Sequence, residues 1–196
     1  PDKWRDYSGL EIDPSLSLYD NLTRVTAFLT KDYIDRKVNK PVDKSEWHMT
    51  PQTVNAYYNP TTNEICFPAA ILQAPFFDPE ADDAVNYGAI GCVIGHEMSH
   101  GFDDQGCQFD KNGNQNNWWT AADKANYDKR TKVLEEYFSN YEVQPGKKIN
   151  GKLTLGENIG DNGGLNIAFR AFSNLMKKRK RKILLILPCA NWREIF

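Results

Sequence analysis

Residues that commonly bind transition metals are scarce in this sequence, whose 196 residues include four cysteines and three histidines. No two cysteines stand in C-x-x-C spacing, so a thiolate zinc site is not predicted, and no disulfide pairing is favoured. The longest apolar run, residues 183–187, falls far short of the roughly 20 residues that span a bilayer. Charge of either sign is not in excess either. The net charge of −2 argues against a general affinity for nucleic acid or anionic membranes.

What is present is the composition of an ordinary globular domain, with 40% hydrophobic and 12% aromatic residues. A chain of this length can bury a core of its own. It begins at Pro1 without a signal-like leader, and we therefore expect it to be a piece of a longer protein.

Apolar periodicity in the first part of the chain changes from that of a helix to that of strands. Residues 15–37 predict an amphipathic helix whose apolar face packs into a core. Residues 53–58 and 64–67 are rich in β-formers and flank the turn-forming segment 59–63. They predict a β-hairpin that Pro68 ends. The helical face consists of Leu18, Leu22, Val25, Leu29 and Tyr33.

Three further helices are predicted in the remainder of the chain. One runs over residues 84–101, follows an acidic cluster suited to a helix N-terminus, and is apolar on several sides, which indicates burial. The second follows Thr120, which can form a capping box with Asp123. The third begins near Leu155 and continues toward Met176. Together these elements predict an α+β fold that is mainly α, with one small hairpin.

The chemistry is concentrated in His96-Glu97-Met98-Ser99-His100, which matches the pattern H-E-x-x-H. Residues four apart share one helix face, so both imidazoles can reach one tetrahedral zinc ion at about 2.0–2.1 Å. Glu97 is offset from that face and can take a proton from a water on the metal. The pattern therefore predicts a zinc site with a catalytic base.

Chance is the competing explanation, because two histidines on one helix more often serve packing or lie on the surface. The predicted burial of the helix favours a metal site over a chance match, because unpaired imidazoles would destabilise a buried helix. Of the three histidines, two stand in the motif. Asp103 and Asp104 follow within reach to orient a ligand imidazole.

A catalytic zinc needs a third protein ligand and an open position. The metzincin pattern would place a histidine where this chain has Gly106, and His48 lies in the loop before the hairpin. Glu157 is the better candidate, because Asp161 lies on the same helix face and could accept a hydrogen bond from a ligand histidine. The alternative is an ordinary acidic helix N-terminus favoured by the helix dipole.

Several segments resemble the neprilysin family of zinc peptidases, in matching order and spacing over about residues 1–176. The matching segments are residues 54–58, 67–73, 93–104, 118–119, 155–159 and 161–164. The resemblance implies a thermolysin-like catalytic domain over residues 1–176, truncated at both ends relative to the family. An atypical basic and apolar tail would follow over residues 177–196.

Roles for individual residues also follow from the resemblance. The implied ligands of one Zn²⁺ per chain are His96, His100 and Glu157. Glu97 would activate the water, and Asp161 would be the second catalytic residue. Asp161 and Asp103 would hold the ligand histidines by hydrogen bonds.

The implied substrates are peptides, cut on the amino side of hydrophobic residues. Asn55 and Ala56 would hold the substrate main chain by adding it to the edge strand. The residues implied for the pocket after the scissile bond are Ile71, Phe76, Cys92 and Val93. For Cys92, plain helix packing is an equally good explanation. The family also implies that the parent protein is exported, and neither a nucleic-acid partner nor a membrane segment is expected in this chain.

The sequence departs from the family at three places. Gly160 stands where an alanine is usual, and Cys107 stands where a basic residue is expected. From residue 177 the pattern gives way to six basic residues and an apolar run, so we expect an aberrant tail that lacks the family's transition-state histidine and arginine. Three hypotheses stay open: a working zinc endopeptidase, a remnant that binds zinc or peptide without turnover, and a basic-tailed protein that binds nucleic acid.

Overall fold

The computed structural model describes residues 5–179, so most of the predicted tail lies outside the described residues. The helices are α1 (Leu18–Lys37), α2 (Asp83–Gly88), α3 (Ile90–His100), α4 (Ala121–Asn140) and α5 (Leu155–Lys178). The strands are β1 (Tyr57–Asn59), β2 (Glu64–Cys66), β3 (Glu142–Gln144) and β4 (Lys147–Lys148), which form two antiparallel hairpins. The predicted fold class, mainly α with a small hairpin, is confirmed.

The chain divides between His48 and Met49 into two compact units, a division that the sequence did not predict. The first unit contains α1, and the second contains all the other elements. The predicted boundary at residue 176 falls within the last turn of α5 and stays a prediction. None of the helices in residues 5–179 combines the length and the hydropathy of a membrane-spanning segment.

Helix α1 starts with a capping box between Ser17 and Asp20. The Asp20 N–H donates to Ser17 Oγ at 3.1 Å, and the Ser17 hydroxyl donates to Asp20 Oδ2 at 2.6 Å. The predicted helix is therefore confirmed, but the expectation that its apolar face lies in a core is wrong. No residue of α1 is buried, and Leu18 is 76% exposed. The reason is size, because a unit of fewer than 50 residues encloses little apolar surface.

The predicted hairpin is present but short. β1 pairs with β2 from Tyr57, opposite Cys66, to Asn59 at the turn. Asn63 closes the turn at φ 53°, a left-handed conformation that asparagine tolerates. Because β2 ends just before Pro68, residues 53–56 have no opposing strand in the part of the chain that the structure describes.

The single helix predicted over residues 84–101 is broken into α2 and α3. Ala89 lies between them at φ −103° and ψ −93°. The Ile90 N–H turns away from the helix and donates to the Phe76 carbonyl at 3.0 Å. This bond ties the start of α3 to the loop that follows β2. Ile90 lies in the main apolar cluster with Ala56 and Ile71.

Helices α3 and α5 cross with their backbones in contact, and glycines make this possible. A Cβ atom on Gly95 would lie 2.8 Å from the Gly164 Cα. A Cβ on Gly164 would lie 2.4 Å from the Cys92 carbonyl oxygen. No side chain fits between the two helices here, so their separation is fixed by main-chain atoms.

Helix α4 begins with the predicted capping box, in which the Asp123 N–H donates to Thr120 Oγ1 at 3.1 Å. After α4 the chain forms the hairpin of β3 and β4, whose turn has Gly146 at φ 76°. The sequence predicted only a turn here. Strands of three and two exposed residues carry no alternating apolar pattern that could reveal them.

We predict that Gly164→Ala destabilises the second unit by about 1–3 kcal/mol, because the added methyl group overlaps a carbonyl that cannot move aside. Urea unfolding followed by circular dichroism measures the change. Gly88→Ala is the matched control, since nothing lies within 4 Å of its added Cβ. Equal stability of the two variants would contradict the close approach of α3 and α5.

Candidate metal centre

Helix α3 presents the two histidines of the motif side by side. The rings of His96 and His100 have centroids 4.6 Å apart and stand at 86° to each other. Each side chain keeps 19% of its surface exposed. One turn of helix separates the two residues, and this spacing points both Nε2 atoms at the same volume.

The α3–α5 crossing brings the third predicted ligand to the histidines. Glu157, in the first turn of α5, places Oε2 3.3 Å from His96 Nε2 and 3.9 Å from His100 Nε2. One ligand atom from each of the three residues lies within 4.8 Å of the others. Ligands bound to one tetrahedral zinc ion at 2.0–2.1 Å are about 3.4 Å apart. The donor spacing therefore fits zinc.

Carboxylates hold the second nitrogen of each ring. His96 Nδ1 lies 2.9 Å from Asp161 Oδ1, and His100 Nδ1 lies 2.7 Å from Asp103 Oδ2. A proton on each Nδ1 can bind the carboxylate, which leaves the Nε2 lone pair free for a metal. The structure thus brings Asp103 and Asp161 to the positions that the sequence predicted.

Asp103 is the better anchored of the two carboxylates. It is buried, and its Oδ1 accepts the N–H groups of Gln105 at 2.8 Å and Gly106 at 2.6 Å. Burial acts to raise the pKa of Asp103, but the hydrogen bonds from His100, Gly106 and Gln105 outweigh it and keep that pKa below its usual value. The same contact raises the pKa of His100.

Glu97 is buried beside the ligand set, with only 5% of its surface exposed. Its Oε2 has no hydrogen-bond partner among the described residues. Burial raises the pKa of Glu97, although the charges of His100 and His96 and a backbone hydrogen bond from Tyr58 act against this rise. A buried carboxylate oxygen without a partner is costly unless another group completes it. A water bound to a metal at the three donors would give Oε2 a hydrogen-bond partner.

A cavity of about 390 Å³ opens in front of these groups. Its walls include both motif histidines, Glu97 and Glu157, together with the predicted substrate-binding residues Asn55 and Ala56. Five other residues of the wall were not predicted from the sequence, and these are Tyr57, Tyr58, Pro60, Gln105 and Gly106. The two tyrosines follow Ala56 directly along the predicted strand, which was the signal available.

The four residues predicted for the substrate pocket lie elsewhere than the wall of this cavity. Ile71 belongs to the apolar cluster that contains Ala56, and Phe76 and Val93 pack against that cluster. The Cys92 thiol, in α3, donates weakly to the Tyr87 carbonyl at 3.7 Å, across the break between α2 and α3. Their assignment to a substrate pocket stays a prediction.

Comparison with known proteins decides the family. The model of "Peptidase family M13" matches residues 55–187. The chain belongs to peptidase family M13. An endothelin-converting enzyme homolog from Locusta migratoria is 46% identical over 179 residues, which are 91% of this chain and 24% of that protein. Neprilysin-3 from Drosophila melanogaster is 44% identical over 180 residues, which are 92% of this chain and 22% of that protein.

A solved structure of an M13 relative has the same fold. The zinc metalloprotease Zmp1 of Mycobacterium tuberculosis, in complex with an inhibitor, superposes with a TM-score of 0.80 at 53% identity. The match covers 90% of this chain and 28% of that one. The predicted resemblance to the neprilysin family is confirmed. The chain spans about a quarter of the length of the relatives that it matches.

We predict that zinc stabilises the folded chain, because the three ligands converge only in the folded state. Zinc at 100 times its Kd should add about 2.7 kcal/mol to the free energy of unfolding, and a chelator should remove the gain. His96→Ala should abolish the effect in thermal unfolding, while His48→Ala, the matched control, keeps it. Stabilisation that survives His96→Ala would contradict the assigned ligands.

Proposed function

We propose that this chain carries the active site of a zinc-dependent endopeptidase that cuts peptides on the amino side of hydrophobic residues. The observation that carries the proposal is the unpartnered, buried Oε2 of Glu97 beside three convergent metal donors. This is the arrangement that metal-assisted hydrolysis requires. Membership of peptidase family M13 supports the same reaction.

The metal would be held by His96, His100 and Glu157. Bound there, zinc supplies a Lewis acid for the scissile carbonyl and lowers the pKa of a water to about 7. The protein's contribution would be to hold the three donors together in the wall of the cavity.

Glu97 handles the protons of the reaction. Its Oε2 accepts a proton from the attacking water and passes it to the nitrogen of the leaving amine, so the carboxylate is restored at the end of each turnover. Burial favours this role, because a carboxylate whose pKa is raised is a stronger base and accepts the proton of the water more readily.

Asp103 and Asp161 hold the ligand imidazoles in the tautomer that binds metal. Each accepts a hydrogen bond from Nδ1, which fixes the ring orientation and increases the basicity of Nε2. Asp161 is 80% exposed, so water competes for its hydrogen bond with His96 more than for the hydrogen bond between Asp103 and His100.

Residues 53–56 lead into β1 and have no opposing strand among the described residues. Asn55 and Ala56 line the cavity and directly precede β1, where an extended peptide could add its own main-chain hydrogen bonds. Such pairing would place the peptide alongside the motif helix. This recognition is independent of the peptide's side chains, so the preference for a hydrophobic residue needs a separate pocket.

A second candidate is a site that binds zinc without efficient turnover. The α5 side of the site favours it, since Glu157 is 71% exposed and Asp161 is 80% exposed. Efficient hydrolases of this kind exclude bulk water when the substrate is bound.

Export of the parent protein, which the family implies, also remains a proposal, and cell fractionation would test it.

We predict that Glu97→Gln lowers kcat by about 10²–10⁴-fold, because the base is lost while the shape of the side chain is kept. The assay is cleavage of a quenched peptide with a central Phe or Leu, with bound zinc measured on the same samples. Glu136→Gln, on the exposed surface of α4, is the matched control and should cleave like the unmodified chain.

The outcomes separate the two candidates. Bound zinc in the unmodified chain, together with peptide cleavage that is lost in Glu97→Gln, supports the endopeptidase. Zinc without cleavage in the unmodified chain supports the binding site without turnover. Cleavage that persists in Glu97→Gln would overturn the assigned base.

A further inference from the structure

We propose that Asp104 is a positioning residue for Glu157, because its carboxylate holds the first turn of α5 in which this ligand stands. The inference rests on the proposed metal site. It gives the two neighbouring acids after the motif different tasks. Asp103 binds the ring of His100, whereas Asp104 lies against the first turn of the helix that carries Glu157.

Helix α5 begins without a side-chain cap. Thr154 stands at the N-cap position with φ −94° and ψ 8°, and its side chain makes no capping hydrogen bond. The first N–H groups of any helix lack partners within the helix and carry a partial positive charge. An acceptor from elsewhere in the fold is therefore favourable at this end.

Asp104 brings a carboxylate to this end, where it acts on the helix through charge, because its Oδ1 accepts no hydrogen bond from the described residues. A Cβ on Gly156, the second residue of α5, would lie 3.1 Å from Asp104 Oδ1 and 3.1 Å from Asp103 Oδ2. Both carboxylates therefore rest on the bare backbone of the first turn. Glycine at position 156 permits this approach, since any side chain would push the acids away.

The state of the Asp104 carboxylate supports this role. Oδ2 accepts from Gln105 Nε2 at 2.9 Å, but Oδ1 is fully buried and has no hydrogen-bond partner among residues 5–179. Asp104 also shares with Leu155, the first residue of α5, the wall of a second cavity of about 370 Å³. Compensation for the buried charge is therefore available from the positive end of α5.

Glu157 depends on this anchoring because it stands in the first turn of α5, ahead of the glycines that fix the crossing with α3. Its side chain is 71% exposed, and the contacts that define its place are those to the two motif histidines. A small displacement of the first turn would move its Oε2 out of the 3.3 Å contact with His96 Nε2. The affinity for metal is therefore sensitive to the position of the turn.

The experiment compares Asp104→Asn with Asp128→Asn in the full chain. Asp128 lines the same second cavity from α4 and undergoes the same loss of charge. Zinc affinity, measured by competition with a chromophoric chelator, should fall about tenfold in Asp104→Asn and less than twofold in the control. In the Glu157→Gln background, Asp104→Asn should cause no further loss, because the ligand through which it acts is gone.

A second measurement needs no metal. Amide hydrogen exchange of residues 155–158 in the metal-free chain should become faster in Asp104→Asn and stay unchanged in Asp128→Asn. Unchanged zinc affinity in Asp104→Asn, or an equal loss in the Glu157→Gln background, would overturn the inference. If the unmodified chain binds no zinc, the proposed function fails. The exchange rates would then decide the role of Asp104 alone, with unchanged rates refuting it.

Discussion

The main-chain contact between α3 and α5 is the constraint on which the rest of the second unit depends. Two histidines come from one helix and the carboxylate ligand from the other, so the metal donors converge only if the helices cross closely. Gly95 and Gly164 remove the side chains that would hold them apart. Gly160 extends the same surface, because a Cβ there would lie 2.8 Å from the His96 ring. The geometry of the site therefore depends on the lack of a side chain at these three glycines.

Repulsion among its carboxyl groups destabilises this site when no cation is bound. Four carboxyl groups, those of Glu97, Asp103, Glu157 and Asp161, surround two imidazoles in a partly buried region. The folded chain offsets some of that charge through backbone N–H groups, as it does for Asp103. A divalent cation held by the three donors would offset more of that charge.

The parts of the molecule that carry local signals were predictable from the sequence. The helices at 18–37, 121–140 and 155–178 follow apolar periodicity and capping residues, and the motif histidines and Glu157 follow from spacing and resemblance. Non-local interactions were not predictable. The break at Ala89 depends on the hydrogen bond from the Ile90 N–H to the Phe76 carbonyl. The prediction that α1 is buried was wrong because apolar periodicity identifies a helix face but not what covers that face. The contact of Asp103 with a ligand histidine was predicted, but a sequence that shows two adjacent acids could not reveal that Asp104 faces the first turn of α5.

The two halves of the site lie far apart along the chain, and this separation has an evolutionary consequence. His96 and Asp161 are 65 residues apart, and α4 with its following hairpin lies in the interval. The entropy of closing such a connection grows slowly, by about 0.6 kcal/mol for each doubling of its length. Insertions between the helices should thus be tolerated in descendants of this gene. A single residue inserted between His96 and His100 would instead rotate one imidazole by about 100° relative to the other and separate the two donors.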